Sequence, residues 1–141
     1  MKLIRIFLWL WRLDTRAVEV ILGIELLRRG TLWATGAAPM SSQSYKPMSD
    51  AMSSGMWGAV FLVVGCMQLA GIVINGNWHR SPYLRMSALI FSLMAYSLLA
   101  QVFAGGANPG AALQSATQQL LNAVVCLWCV LNISAKMKNV S

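Results

Sequence analysis

The sequence predicts an all-α polytopic membrane protein, a four-helix transmembrane bundle behind an amphipathic N-terminal helix. Three apolar stretches carry most of that expectation: 56–75, 83–105 and 112–135, the last apolar but rich in glutamine. Each is close to the roughly 20 residues that a helix rising about 1.5 Å per residue needs to cross about 30 Å of hydrocarbon. Composition agrees. The 141 residues are 57% hydrophobic and 11% charged, with a mean hydropathy of +0.60, far more apolar than a soluble domain. Such a chain has room for about four spans, so one bundle is expected and no separate soluble domain.

Residues 1–15 read as an interfacial helix. At about 100° per residue, Lys2, Arg5, Arg12 and Arg16 fall on one face, while Leu3, Ile6, Phe7, Leu10 and Leu13 cover much of the remainder. Such a helix lies in the headgroup plane with its basic face on anionic lipid of the cytoplasmic leaflet. Arg12, Asp14 and Arg16 interrupt the apolar run and no small-residue cleavage site follows, so the segment is read as retained rather than as a signal peptide.

The first span, 16–37, is the irregular one. It holds Glu19, Glu25, Arg28 and Arg29, and an Arg near mid-membrane costs roughly 2.5 to 3.5 kcal/mol on insertion scales. Glu25 and Arg29 stand four apart in the favourable order and Arg28 three apart, so the three are expected to form a buried charge pair on one helical face. Two other readings stand beside that one. Glu19 or Glu25 lines a polar pathway as a proton- or cation-coupled carboxylate, or the segment is a tilted, partly interfacial helix.

The connection at 39–54 is rich in Ser, Met and Pro and reads as an outward loop. In the second and third spans, Gly55, Gly58 and Gly65, then Ala88, Ser92 and Ala95, are small residues at helical spacing that let backbones approach. Asn108-Pro109-Gly110 is a compact turn. The fourth span, 112–135, repeats polar side chains every four residues at Gln114, Gln118 and Asn122, with Cys126 and Cys129 continuing roughly the same face. A polar stripe of this kind should face protein or water, as intrachain bonding, a subunit interface or an aqueous path. Residues 136–141 form a short basic tail.

Basic residues set the orientation. Lys2, Arg5, Arg12 and Arg16 precede the first span, His79, Arg80 and Arg85 lie between the second and third, and Lys136 and Lys138 close the chain. The 35–55 connection has Lys46 offset by Asp50, and 106–111 has no charge. Under the positive-inside rule both termini and the 75–81 loop face the cytoplasm. Trp33, Trp57, Trp78 and Tyr83 near span ends fit rings at the membrane interface.

Little else in the chain points to chemistry. The +7 charge sits beside apolar segments, where it marks topology rather than nucleic-acid binding. Cys126-Leu127-Trp128-Cys129 is formally a C-x-x-C pair, but the only other cysteine, Cys66, lies within a span, so small, mildly polar filler is the reading. The lone His79 has no second ligand candidate nearby, and no metal is expected. No run spells out a catalytic or cofactor motif. The protein is therefore expected to be non-enzymatic and without cofactor.

Several short matches lie in one order: 13–19 (Leu-Asp-Thr-Arg-Ala-Val-Glu), Trp57-Gly58 with Gly65 and Gln68-Leu69, the basic 80–85 turn, and Asn108-Pro109 before a last span. In this order the chain resembles small four-span inner-membrane proteins of tailed bacteriophages and prophages. The resemblance implies a host inner-membrane location and a largely unassigned function, sometimes holin-like. Familiar holins differ in having a strongly charged C-terminal tail, where this chain has only Lys136 and Lys138. The functional expectation is an oligomeric, holin-like pore former, or a membrane factor in host takeover or genome entry. Two alternatives are a small proton-coupled transporter using Glu19 or Glu25, and an accessory subunit of a larger membrane complex with Glu25 and Arg29 as docking charges. Glu19 in the first span also resembles the small multidrug-resistance exporters, against which Arg28, Arg29 and the absence of their other motifs count.

Overall fold

The computed structural model describes residues 15–38, 40–41, 43–75, 82–105 and 109–138. Helices account for nearly all of them, without a strand among the described residues: α1 Arg16–Ala34, a short α2 Lys46–Ala51 behind a single 3-10 turn at Gln43–Tyr45, α3 Ser54–Asn75, α4 Pro82–Ala104 and α5 Pro109–Lys138. The basic N-terminal helix expected over Lys2, Arg5 and Arg12 lies outside the described residues, as do Trp78, His79 and Arg80; Arg16 is the exposed first residue of α1.

Helix ends follow local chemistry. Pro82 and Pro109 open α4 and α5, where a fixed φ suits the first turn and a missing N–H is not missed. At the other end of α1, Gly36 adopts φ +72°, the left-handed turn that releases a chain from a helix at least cost when the residue has no Cβ. Its N–H bonds Trp33 O at 3.3 Å, and Ala38 N–H bonds Leu32 O at 3.1 Å.

Among the described residues three helices are long and apolar enough to cross a membrane: Ser54–Ile74, Pro82–Ala104 and Ala112–Met137. They show large apolar side chains outward, among them Val63 and Val73 of α3, Phe91 and Met94 of α4, and Leu113 and Leu120 of α5. A soluble monomer rarely exposes so much contiguous apolar surface, whereas hydrocarbon accepts it. The 19 residues of α1 rise through about 28 Å, but its five charges keep it out of that group.

Packing runs around a ring: α1 lies along α3, α3 along α4, and α4 along α5, while α1 and α5 barely meet. The α1–α3 contact is a glycine seam. A Cβ on Gly58 would stand 2.5 Å from Ala34 N, one on Gly30 2.7 Å from Leu62 N, and one on Gly65 2.9 Å from Leu27 Cγ and 3.0 Å from Gly23 O. Gly23 and Gly30 are seven apart, as are Gly58 and Gly65, so two turns of each helix present the same flat face to the other. Gly55, also on the expected small-residue pattern, faces open space. In α4, Ala88 and Ser92 are fully buried and Ala95 is half-buried.

The segment at 43–54 is ordered into the 3-10 turn and α2 rather than an open loop. Met40 and Met48 are buried beneath it, and Trp57 Nε1–H donates to Met48 O at 2.8 Å. Tyr45 is wedged edge-on between Trp33, 5.8 Å away, and Phe103, 5.3 Å away. Trp33, expected at the membrane interface, is instead a core residue that also meets Phe61 at 4.9 Å. This segment brings enough apolar surface to cover it.

Candidate functional site

Two polar constellations stand out against the apolar bundle. The first lies where α1 and α4 begin. Glu19 is 1% exposed, and Arg85 reaches it from 66 residues away with a two-pronged ion pair: Nε donates to Oε2 at 3.0 Å, and Nη2 to Oε1. Thr15 Oγ1–H donates to the same carboxylate at 2.6 Å and accepts from Arg85 Nη2 at 3.0 Å. Gln68 of α3 donates to the Glu19 carbonyl at 2.7 Å, Ser92 Oγ–H bonds Gln68 Oε1, and Tyr96 O–H donates to Leu22 O at 2.8 Å. These groups tie α1, α3 and α4 together in a layer where a lone carboxylate would be prohibitive.

Sequence reasoning placed Arg85 among loop charges. It is in fact the fourth residue of α4, buried and paired, so it does not act as a free topology signal. The nearest sequence clue is that Arg85, Ala88, Ser92, Tyr96 and Leu99 share one face of α4, all buried; a cation on a packing face calls for a buried anion.

The second constellation is the open side of the ring. Here Glu25 accepts from Arg28 Nε and Nη2 at 3.0 and 2.9 Å, and from Arg29 Nε at 3.0 Å. The triad forms as its spacing dictates, but it is less buried than expected: the side chains of Glu25 and Arg29 are 28% and 15% exposed, and that of Arg28 is 57%. The reason is the gap between α1 and α5. Across it stand Gln118 and Asn122, which with Glu25, Arg28, Arg29, Ile21 and Leu22 line a cleft of about 410 Å³. A second cleft of about 270 Å³ adjoins it, lined by Arg29, Phe103, Gln114, Ser115, Gln118 and Gln119.

Thus α1's charge triad and α5's carboxamides, which are far apart in sequence, meet along one seam. Gln118 Nε2 approaches Asn122 Oδ1 at 3.5 Å. Gln119, not singled out by its spacing, is 2% exposed, and its Oε1 has no hydrogen-bond partner among the described residues. Beside it, Arg29 lies over the Phe103 ring at 6.0 Å, the outer limit for a cation–π contact. Burial pushes the Tyr45 phenol up from its ordinary value, and the neighbouring Arg29 opposes that shift.

Cys126 and Cys129 do not continue the carboxamide stripe; both are fully buried, while Gln114 and Gln118 are exposed. At 3.6 residues per turn a four-residue repeat drifts by about 40° each step, so by Cys126 the row has rotated about 120°, into the core. Both cysteines are free thiols, as is exposed Cys66.

No family model, curated protein or solved structure matches the chain.

The seam therefore has to be read from its own chemistry. It offers one carboxylate, two guanidinium groups, four carboxamides and the Ser115 hydroxyl. Such a surface suits polar groups or water.

Proposed function

We propose that this chain is a non-enzymatic integral protein of a bacterial inner membrane, of the small four-span type carried by tailed phages. Copies of it associate along the α1–α5 seam to enclose a polar, holin-like path. The observation that carries this reading is the seam itself. Polar side chains facing hydrocarbon are expensive, and a second copy or water is what relieves them.

In this reading α1 is the fourth span. Its carboxylates have counter-charges, Glu19 with Arg85 and Glu25 with Arg28 and Arg29, and the glycine seam holds it against α3 along its length. In this reading the end of the bundle that carries Arg16, Lys136 and Lys138 faces the cytoplasm, as the positive-inside rule would have it. The other end has Lys46 offset by Asp50.

One observation keeps a transporter as the second reading: the Glu25 carboxylate lines the larger cleft. Glu19 fits that role poorly, since both its oxygens accept hydrogen bonds within the buried cluster.

Induced expression in a bacterial host tests the pore. The expected result is an abrupt collapse of membrane potential after a delay, postponed or abolished by Gln118→Leu combined with Asn122→Leu. Sustained high expression with potential and viability intact would reject the pore and leave a scaffold or accessory role.

A further inference from the structure

The geometry points to the smaller cleft, between Arg29, Phe103 and the Gln114–Gln119 turn of α5, as a binding site for an anionic phospholipid headgroup that carries hydroxyls, of the phosphatidylglycerol kind. This goes beyond self-association and holds for a single copy of the chain.

Three features converge. The first is depth. Arg29 is five residues before the end of α1, Phe103 is the next-to-last residue of α4, and Gln114 is the sixth of α5. At about 1.5 Å per residue these three lie within roughly 8 Å of the bundle's end, at the level of headgroups and their glycerol backbones, and the cleft runs inward from there to Gln118 and Gln119, about 14 to 15 Å along α5.

The second is charge. Glu25 against Arg28 and Arg29 leaves one positive charge at the seam, and a phosphate beside a guanidinium makes the strongest class of hydrogen bond available there.

The third is the unmet acceptor. Gln119 Oε1 is buried and without a partner among the described residues, and it lines the cleft beside Gln114, Ser115 and Gln118. Such an atom calls for a donor, which the hydroxyls of a glycerol head supply, while the neighbouring carboxamides and Ser115 offer further pairing.

Retention of lipid through purification tests the site. The protein is equilibrated in detergent with equal phosphatidylglycerol and phosphatidylethanolamine, then examined by native mass spectrometry, with inorganic phosphate as a separate arm. The expected preference for phosphatidylglycerol is about tenfold, the scale of one net hydrogen bond, because both lipids offer a phosphate. Arg29→Gln, which leaves Arg28 on Glu25, and Gln119→Leu should each bring the ratio close to one, while Thr117→Val on the outer face of α5 leaves it unchanged. The ratio is read on folded protein only, so a loss of yield does not mimic a loss of site. Equal retention of the two lipids, an unchanged ratio in both cleft variants, or displacement of the lipid by millimolar inorganic phosphate would overturn the inference.

Discussion

Glu19 and Arg85 are the residues on which the interior depends most. Removing one member of a buried pair leaves the other uncompensated, at a typical cost of about 3 to 5 kcal/mol. Arg85→Ala should therefore sharply lower the melting temperature in detergent. Glu19→Gln combined with Arg85→Gln, which keeps volume and hydrogen-bonding groups, should recover much of the loss. A double variant as unstable as the sum of the singles would show that the two do not act as a pair. This contact was not legible in the sequence, because nothing local connects residues 66 apart, whereas the Glu25 triad is written in its three- and four-residue spacing. Gln119 was equally hidden: its neighbour Gln118 is on the repeat, and only the tertiary fold shows which carboxamide turns inward.

At the scale of helices, the α1–α3 seam sets how closely the bundle closes. Gly58→Ala places a methyl 2.5 Å from backbone nitrogen at Ala34, which no rotamer change relieves, and overpacking of this kind costs about 1 to 3 kcal/mol. Gly55→Ala meets nothing within 4 Å, and because Ala is the better helix former it should be neutral or stabilising by up to about 1 kcal/mol. Thermal melts of the two variants side by side check this, and equal destabilisation would contradict the seam. Span lengths make the apolar helices readable to within a few residues: 56–75, 83–105 and 112–135 against Ser54–Asn75, Pro82–Ala104 and Pro109–Lys138. The half of the glycine seam on α3 was visible as Gly58 and Gly65. Its partner half, Gly23 and Gly30, was masked by the charges that dominate α1. The fold of 43–54 was missed for a related reason, since Ser, Met and Pro signal a loop until Met40 and Met48 find a hydrophobic roof to fill.

At the scale of the molecule, four helices pack along three sides of a ring whose fourth side, between α1 and α5, is open. The proposed function has a second copy cover that side, meeting the first along Gln114, Gln118 and Asn122, which line its clefts. The groove between α3 and α4 that holds Val63 and Phe91, by contrast, is lined by apolar side chains, which lipid satisfies. The most direct measurement is cross-linking in native membranes on a Cys66→Ser background, with a short thiol-reactive linker and one introduced cysteine at a time. Gln118→Cys should give a covalent dimer and Val63→Cys should stay monomeric. Folded, membrane-inserted Gln118→Cys protein that remains monomeric, or dimers formed equally from both positions, would contradict association along the seam.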